Sequence, residues 1–302
     1  MKISNAASSP KISSFKREIP NPRSIRVLFS VFVFHVLISC NPGHCGQDPL
    51  RVHVMDVGYG DAIFIQFPGS GNMMVDAGEP GYSDVIIKYL EALKVTAIDT
   101  AVITHPHTNH FGGFAQVGRR FPIRRVFING DNNAEEGYEE LIGRFKQEEV
   151  PVKTLGRGQK IDGLPDGIEA GVLHPESLSG GPNNNSIVVL ITFHKIEILL
   201  MADLESEGQK ELMDAFPEIN GVDAVKVPHH GGPLSDEFIK TFEDKVFIIS
   251  TGDSKWGWPS EDELKRLKGR IFRTDRDGTV VLESDGLSLS VTTAAAGKIN
   301  QP

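Results

Sequence analysis

The sequence predicts an α/β protein in which mixed β-sheets are layered with helices on their outer faces. Three observations predict it. The segments after residue 46 open as short strands divided by turn residues, strand-like and helix-like segments then alternate, and a hairpin closes the chain. The 302 residues are 39% hydrophobic and 24% charged, with 31 Gly and 18 Pro, which is ordinary globular composition and excludes a coiled coil, a polytopic membrane protein or wholesale disorder. Two Cys exclude a disulfide scaffold and a four-Cys metal knuckle.

Leu50–Asp56 and Ala62–Phe67 alternate or run apolar as strands, and Asn72–Val75 reads as a short third strand. Tyr82–Leu93 places Val85, Ile86, Tyr89, Leu90 and Leu93 at helical spacing, and Thr100–Ile103 is a buried strand leading into a run of histidines. Val126–Asn129 reads as a strand and Glu135–Gln147 as a mostly polar amphipathic helix. The second half repeats the mixture, with strands at Ile168–Leu173, Ser186–Phe193, Glu197–Met201, Ala224–Val227 and Phe247–Ser250. Helices are expected from Glu205 to about Ala215, at Asp236–Phe242 and at Ser260–Leu267. A terminal hairpin, Thr279–Glu283 with Leu287–Val291, turns on Ser284-Asp285-Gly286. No internal repeat or second linker interrupts this pattern, so residues 46–302 read as one domain behind a leader and tether of residues 1–45.

The leader carries six basic side chains (Lys2, Lys11, Lys16, Arg17, Arg23, Arg26) against Glu18, a balance of +5, so the chain's −9 leaves −14 on residues 46–302. So acidic a body, with no Lys/Arg-rich run, disfavours tight nucleic-acid binding. Residues 27–39 form the one long apolar run. As a helix this run would reach roughly 20 Å, short of a hydrocarbon core of about 30 Å. Basic residues before it and small ones after it fit a secretory signal peptide, so the protein is expected to be exported. Leu37-Ile38-Ser39-Cys40 resembles the lipobox of bacterial lipoproteins, which implies a lipid anchor at Cys40; a plain cleaved signal is the alternative.

The richest stretch is Ile103-Thr104-His105-Pro106-His107-Thr108-Asn109-His110-Phe111-Gly112-Gly113. Side chains two apart on an extended chain point the same way, so His105 and His107 can meet one ion. Asn109 and His110 follow a turn and can face a neighbouring position, and the two glycines permit tight backbone passage beneath. Neutral imidazoles at a strand exit suit zinc or a similar transition metal such as manganese. Asp203 and His229 also follow apolar strands and join the set. Asp203 also reads as a helix N-cap, and His229-His230 as core histidines, but beside His105 and His107 the ligand reading is favoured for Asp203 and His229.

This cluster resembles the HxHxDH motif of the metallo-β-lactamase superfamily. Val57-Gly58-Tyr59-Gly60-Asp61-Ala62 and Val75-Asp76-Ala77-Gly78 resemble its opening strands. Asn183-Asn184-Asn185-Ser186-Ile187-Val188, Ala202-Asp203-Leu204-Glu205, Val227-Pro228-His229-His230-Gly231-Gly232 and Arg273-Thr274-Asp275 with Gly278-Thr279-Val280 resemble the branch containing the hydrolase domain of ComEC-type DNA-uptake competence proteins. The resemblance implies a four-layer αβ/βα sandwich with metals at the sheet edge. It implies that His105 and His107 hold a first metal, His110 and His229 a second, and that Asp203 bridges both. Asp61 and Asp76 would orient imidazoles, although turn chemistry explains them as well. Asn183 and Ser186 could donate to a developing oxyanion. His174 reads as structural, and His35, His53 and His194 have no assigned role.

Three positions depart from the pattern: Asn109 stands for the motif's Asp, Trp258 for a His before Pro, and Gly232 for a Ser. Asn109 removes a charge worth about 4 kcal/mol to a neighbour 4 Å away at an effective dielectric of 20. Losing half of that weakens a second ion on the order of 30-fold. The expectation is therefore one zinc held by His105, His107 and Asp203 and a weak second site, with a metal-bound water acidified to about pKa 7 as nucleophile. The resemblance implies hydrolysis of a phosphodiester or related ester, and the charge favours a small-molecule substrate. Trp256 and Trp258 could form an aromatic rim for a base or a quaternary amine, or simply pack. The competing readings are a catalytically degenerate binding module and a competence accessory that meets DNA.

Overall fold

The computed structural model describes residues 48–294, so the leader, Cys40 and His35 lie outside the described residues. An eight-stranded sheet is built from β1 (Leu50–Val54), β2 (Ala62–Gln66), β3 (Asn72–Ala77), β4 (Thr100–Ile103), β5 (Val126–Ile128), β6 (Val152–Thr154), β13 (Val280–Ser284) and β14 (Leu289–Thr293). Its order is β14-β13-β1-β2-β3-β4-β5-β6. A six-stranded sheet runs β12-β11-β10-β9-β8-β7, from β7 (Ile168–His174), β8 (Val188–Phe193), β9 (Ile196–Leu200), β10 (Ala224–Lys226), β11 (Lys245–Ile249) and β12 (Gly269–Arg273). Each sheet has an antiparallel flank of hairpins and a parallel half, β3 to β6 in one and β9 to β12 in the other.

The helices that serve the parallel crossovers are α1 (Ser83–Ala92), α2 (Thr108–Phe111), α3 (Phe114–Arg120), α4 (Tyr138–Gln147), α5 (Ser206–Ala215), α6 (Asp236–Thr241) and α7 (Glu261–Arg266), and the short α8 (Thr274–Asp277) links β12 to β13 of the other sheet. The apolar side chains sort into three clusters, and these give the layers. Val52, Ile63 and Val75 of the first sheet pack with Val189, Ile198 and Ile248 of the second, so the sheets lie face to face. Phe64 and Ala101 pack outward with Ile86, Phe114 and Phe145 of α1, α3 and α4. Leu199, Val225 and Phe247 pack outward with Leu212 and Phe238 of α5 and α6. The result is the four-layer αβ/βα sandwich the sequence implied.

The differences from expectation have local causes. β6 and β12 are edge strands that are largely exposed or half-buried, so their residues carry no strand period. α2, α3 and α8 are too short for helical periodicity to emerge. The helix expected from Glu135 starts at Tyr138, and the final strand runs Leu289–Thr293 rather than Leu287–Val291. Among the described residues no helix is long and apolar enough to cross a membrane.

Candidate metal centre

Parallel sheets gather chemistry at the carboxyl ends of their strands. Here the ends of β3, β4, β9, β10 and β11 converge from both sheets. β4 runs out through Thr104 into His105, and His107 starts the single turn of α2, its carbonyl accepting from the amides of His110 and Phe111. That turn seats tightly: a Cβ on Gly113 would stand 1.9 Å from the Ala77 carbonyl oxygen, so only glycine fits. β9 leads through Ala202, held at φ 47°, into Asp203, and β10 leads into His229 and His230, both left-handed at φ 51° and 56°. Short or left-handed backbone at three strand exits thus aims side chains into one place.

His105 Nε2 lies 3.1 Å from His107 Nδ1 and 3.9 Å from Asp203 Oδ2. His110 Nε2 approaches Asp203 Oδ2 to 3.1 Å, His230 Nε2 to 3.3 Å and His229 Nε2 to 3.9 Å. Two donors on a tetrahedral zinc at about 2.1 Å stand about 3.4 Å apart, so these spacings fit a cation. The tautomers fit as well. His110 Nδ1 donates to Asp76 Oδ2 at 2.8 Å and His230 Nδ1 donates to the Ser250 carbonyl at 2.9 Å, leaving each Nε2 with its lone pair inward. His110 Nε2 and Asp203 Oδ1 are buried with no hydrogen-bond partner, the state expected of donors reserved for an ion. The N-cap position of α5 is Glu205, not Asp203, which removes the capping explanation of Asp203.

The electrostatics are those of a desolvated site around one carboxylate. Burial pushes His105 well below the usual imidazole range. Burial would also lower His110, but the carboxylates of Asp203 and Asp76 outweigh it and hold it up to about 10. Burial alone would raise Asp203; His110 and His230 outweigh it and keep it well below the carboxylate range. A proton and a metal would compete for the His110 lone pair, so a metal bound there would displace a proton.

The structure brings His105, His107, His110 and Asp203 together. The His-His pair divides differently from expectation. His230, which had no role, is fully buried under Tyr59 with ring centroids 4.3 Å apart and lies nearer Asp203 than does His229. His229 turns outward to Trp258 at 4.8 Å, its Nε2 3.4 Å from Asn183 Nδ2. Nothing in the dipeptide distinguishes the two; the left-handed backbone does. Asn109 donates from Nδ2 to His230 Nε2 at 3.0 Å, occupying a lone pair a second ion would need.

Ser186 is corrected: it is fully buried behind the cluster, its Oγ accepting from the Asp203 amide at 3.3 Å, and so cannot reach an oxyanion. Asn183 does line the cavity, its Nδ2 donating to Glu205 at 2.9 Å. Asp76 orients His110 and accepts from the Thr104 amide and hydroxyl. His174 Nε2 donates to the Asn184 carbonyl at 2.7 Å, which suits the structural reading.

Sequence reasoning missed Lys226. Its fully buried ammonium pairs with buried Asp61 and donates to the Ala202 carbonyl at 3.2 Å, just before Asp203. A lysine inside the apolar run Ala224–Val227 was the available signal. The cluster opens into a cavity of about 670 Å³ bordered by Tyr59, Asn109, Asn183, His229, Trp256 and Trp258.

Residues 55–253 match the metallo-beta-lactamase superfamily. The chain belongs to that superfamily. It is similar to ComE operon protein 3 of Bacillus subtilis (strain 168), 28% identical over 278 residues, covering 84% of this chain and 34% of that protein. It is also similar to competence protein ComA of Neisseria gonorrhoeae, 21% identical over 260 residues, covering 83% of this chain and 35% of that one. The chain thus spans about a third of the length of these relatives, at 34% and 35%. Among solved structures, the metallo-beta-lactamase fold protein YhfI from Bacillus subtilis aligns with a TM-score of 0.50 at 12% identity, covering 78% of this chain and 100% of that one. The CmlA beta-hydroxylase E377D mutant aligns with a TM-score of 0.50 at 16% identity, covering 78% of this chain and 54% of that one. These two likenesses speak for the fold alone.

Proposed function

We propose that the protein is an exported, metal-dependent hydrolase of a small phosphodiester or related ester, working with one tightly held zinc or manganese ion. The observation that carries this reading is the convergence of His105, His107, His110 and Asp203, with His110 Nε2 and Asp203 Oδ1 left without hydrogen-bond partners. Bound zinc or manganese would polarise the ester and lower the pKa of water there to about 7. His105, His107 and Asp203 would hold it, with Asp76 and the Ser250 carbonyl fixing the facing imidazoles of His110 and His230.

Around the ion the chain's own groups divide the work. Burial and the nearby Asp203 and Asp61 push the Tyr59 phenol up, so it stays protonated and can donate to charge developing on the substrate. Burial pushes His229 down, so it stands neutral beside the cavity and can take a proton or return one to a leaving group. Asn183, held by Glu205, keeps a buried Oδ1 without a partner. The cavity lining carries the carboxylates of Glu79, Glu135, Asp203, Glu205 and Asp253 against the single ammonium of Lys255. That sign repels a polyanion such as long DNA and favours a small substrate.

The test is turnover of bis-p-nitrophenyl phosphate with added zinc or manganese by the wild type and by Asp203→Ala. Turnover that the substitution abolishes supports the hydrolase. A second reading, a binding module that has lost catalysis, is favoured by the hydrogen bond from Asn109 to His230 Nε2. No turnover with either metal would establish that reading instead.

A further inference from the structure

We propose that the mouth of the cavity is a subsite for a cationic ammonium group, so that the substrate is an ester carrying a choline-like or aminoalcohol head. This rests on the hydrolase reading and names its substrate class. A continuous wall leads outward from the metal cluster. Asp203 is 3.9 Å from His229 Nε2, His229 is 4.8 Å ring to ring from Trp258, and Trp258 stacks on Trp256 at 5.9 Å and 23°. Trp256 is 58% exposed, an unusual placement for the largest side chain in a loop that has a sheet edge to pack against. Two parallel indoles present negative π-faces, which attract quaternary and primary ammonium groups.

The molecule already uses this surface for a cation. The Lys255 ammonium lies over the Trp256 ring, 5.0 Å from its centroid, as an internal stand-in for an incoming head group. The surrounding charge favours the same occupant. Glu79 and Asp253 border the cavity with no ion-pair partner among the described residues, and Glu205 spends one oxygen on Asn183. At the inner end the Asp203 Oδ1 is buried and unpartnered, so the cavity joins a site for the ester to a site for the cation. A neutral base stacked on the indoles would leave the carboxylates uncompensated. An ammonium answers both features at once.

Trp256 and Trp258 are the chain's two tryptophans, so intrinsic fluorescence reads this subsite directly. The full chain is titrated with choline and with its neutral isostere 3,3-dimethylbutan-1-ol. Choline is expected to give a saturable change with at least ten-fold tighter binding than the isostere. Trp256→Ala and Asp253→Asn should each erase that preference. Lys255→Gln should tighten choline binding several-fold, because it removes the competing cation. Equal binding of the two probes, or no response to choline, overturns the subsite, as does weaker choline binding in Lys255→Gln. The hydrolase reading fails separately: turnover of bis-p-nitrophenyl phosphate without choline preference sinks the subsite alone. Choline preference without turnover of any ester keeps a cation subsite and removes the enzyme.

Discussion

Lys226→Met removes one partner of an ion pair that both sheets bury. Lys226 and Asp61 have side chains 0% and 1% exposed, so neither charge can turn to water when the other is lost. An isolated charge left in such a place costs about 3–5 kcal/mol, a large part of the roughly 5–15 kcal/mol that holds a domain folded. The orphaned Asp61 carboxylate has one alternative, His230 Nδ1 at 3.7 Å, and taking it would pull that imidazole from the Ser250 carbonyl. Urea denaturation reads the loss from the shift of the midpoint at unchanged slope. Pairing the change with Asp61→Asn removes the stranded charge, so the double variant should be more stable than Lys226→Met alone, a coupling of at least about 2 kcal/mol. Because Lys226 also holds the Ala202 carbonyl ahead of Asp203, the single variant should bind zinc at least ten-fold more weakly. A loss under about 1 kcal/mol, or two effects that simply add, would show that the pair is not what fixes the strand ends.

Two further outcomes follow from the geometry. Asn109→Asp replaces the donor on His230 Nε2 with a carboxylate, and should strengthen a second zinc by on the order of 30-fold, read by competition with a chromophoric chelator; unchanged affinity would remove Asn109 as the cause of the weak second site. His53 is buried between Tyr89 and Gln66, and burial lowers it from 6.5 to about 4, so the unfolded chain takes up the proton first. Its contribution is therefore complete above pH 6.5 and lost as pH falls toward 4, about 3 kcal/mol in all. His53→Gln should flatten the stability profile between those two pH values, and an unchanged slope there would refute the assignment.

How much was legible in the sequence depends on whether a residue's role is local. The strands and larger helices of the interior were legible because burial imposes a period: Tyr82–Leu93 and Thr100–Ile103 are recognisable from their own apolar spacing. The edge strands Val152–Thr154 and Gly269–Arg273 were not, since with one flank in water they bear no pattern. In the site, the approach of His105 to His107 follows from two-residue alternation on an extended chain. The division of labour between His229 and His230 follows instead from two left-handed residues and from Ser250 at the end of a different strand. The demotion of Ser186 has the same origin, because only the antiparallel pairing of β8 with β9 brings its hydroxyl to the Asp203 amide. Lys226 was visible as a misplaced charge, but its partner Asp61 stands 165 residues away.

The central claim is that one cation sits among His105, His107, His110 and Asp203. Its most direct test is the zinc content, by inductively coupled plasma mass spectrometry, of the full chain and of Asp203→Ala after equilibration with zinc and exhaustive dialysis. One retained equivalent in the wild type and none in the variant is the result this account predicts. Two tightly retained equivalents, no retained zinc, or equal retention by the variant would contradict it.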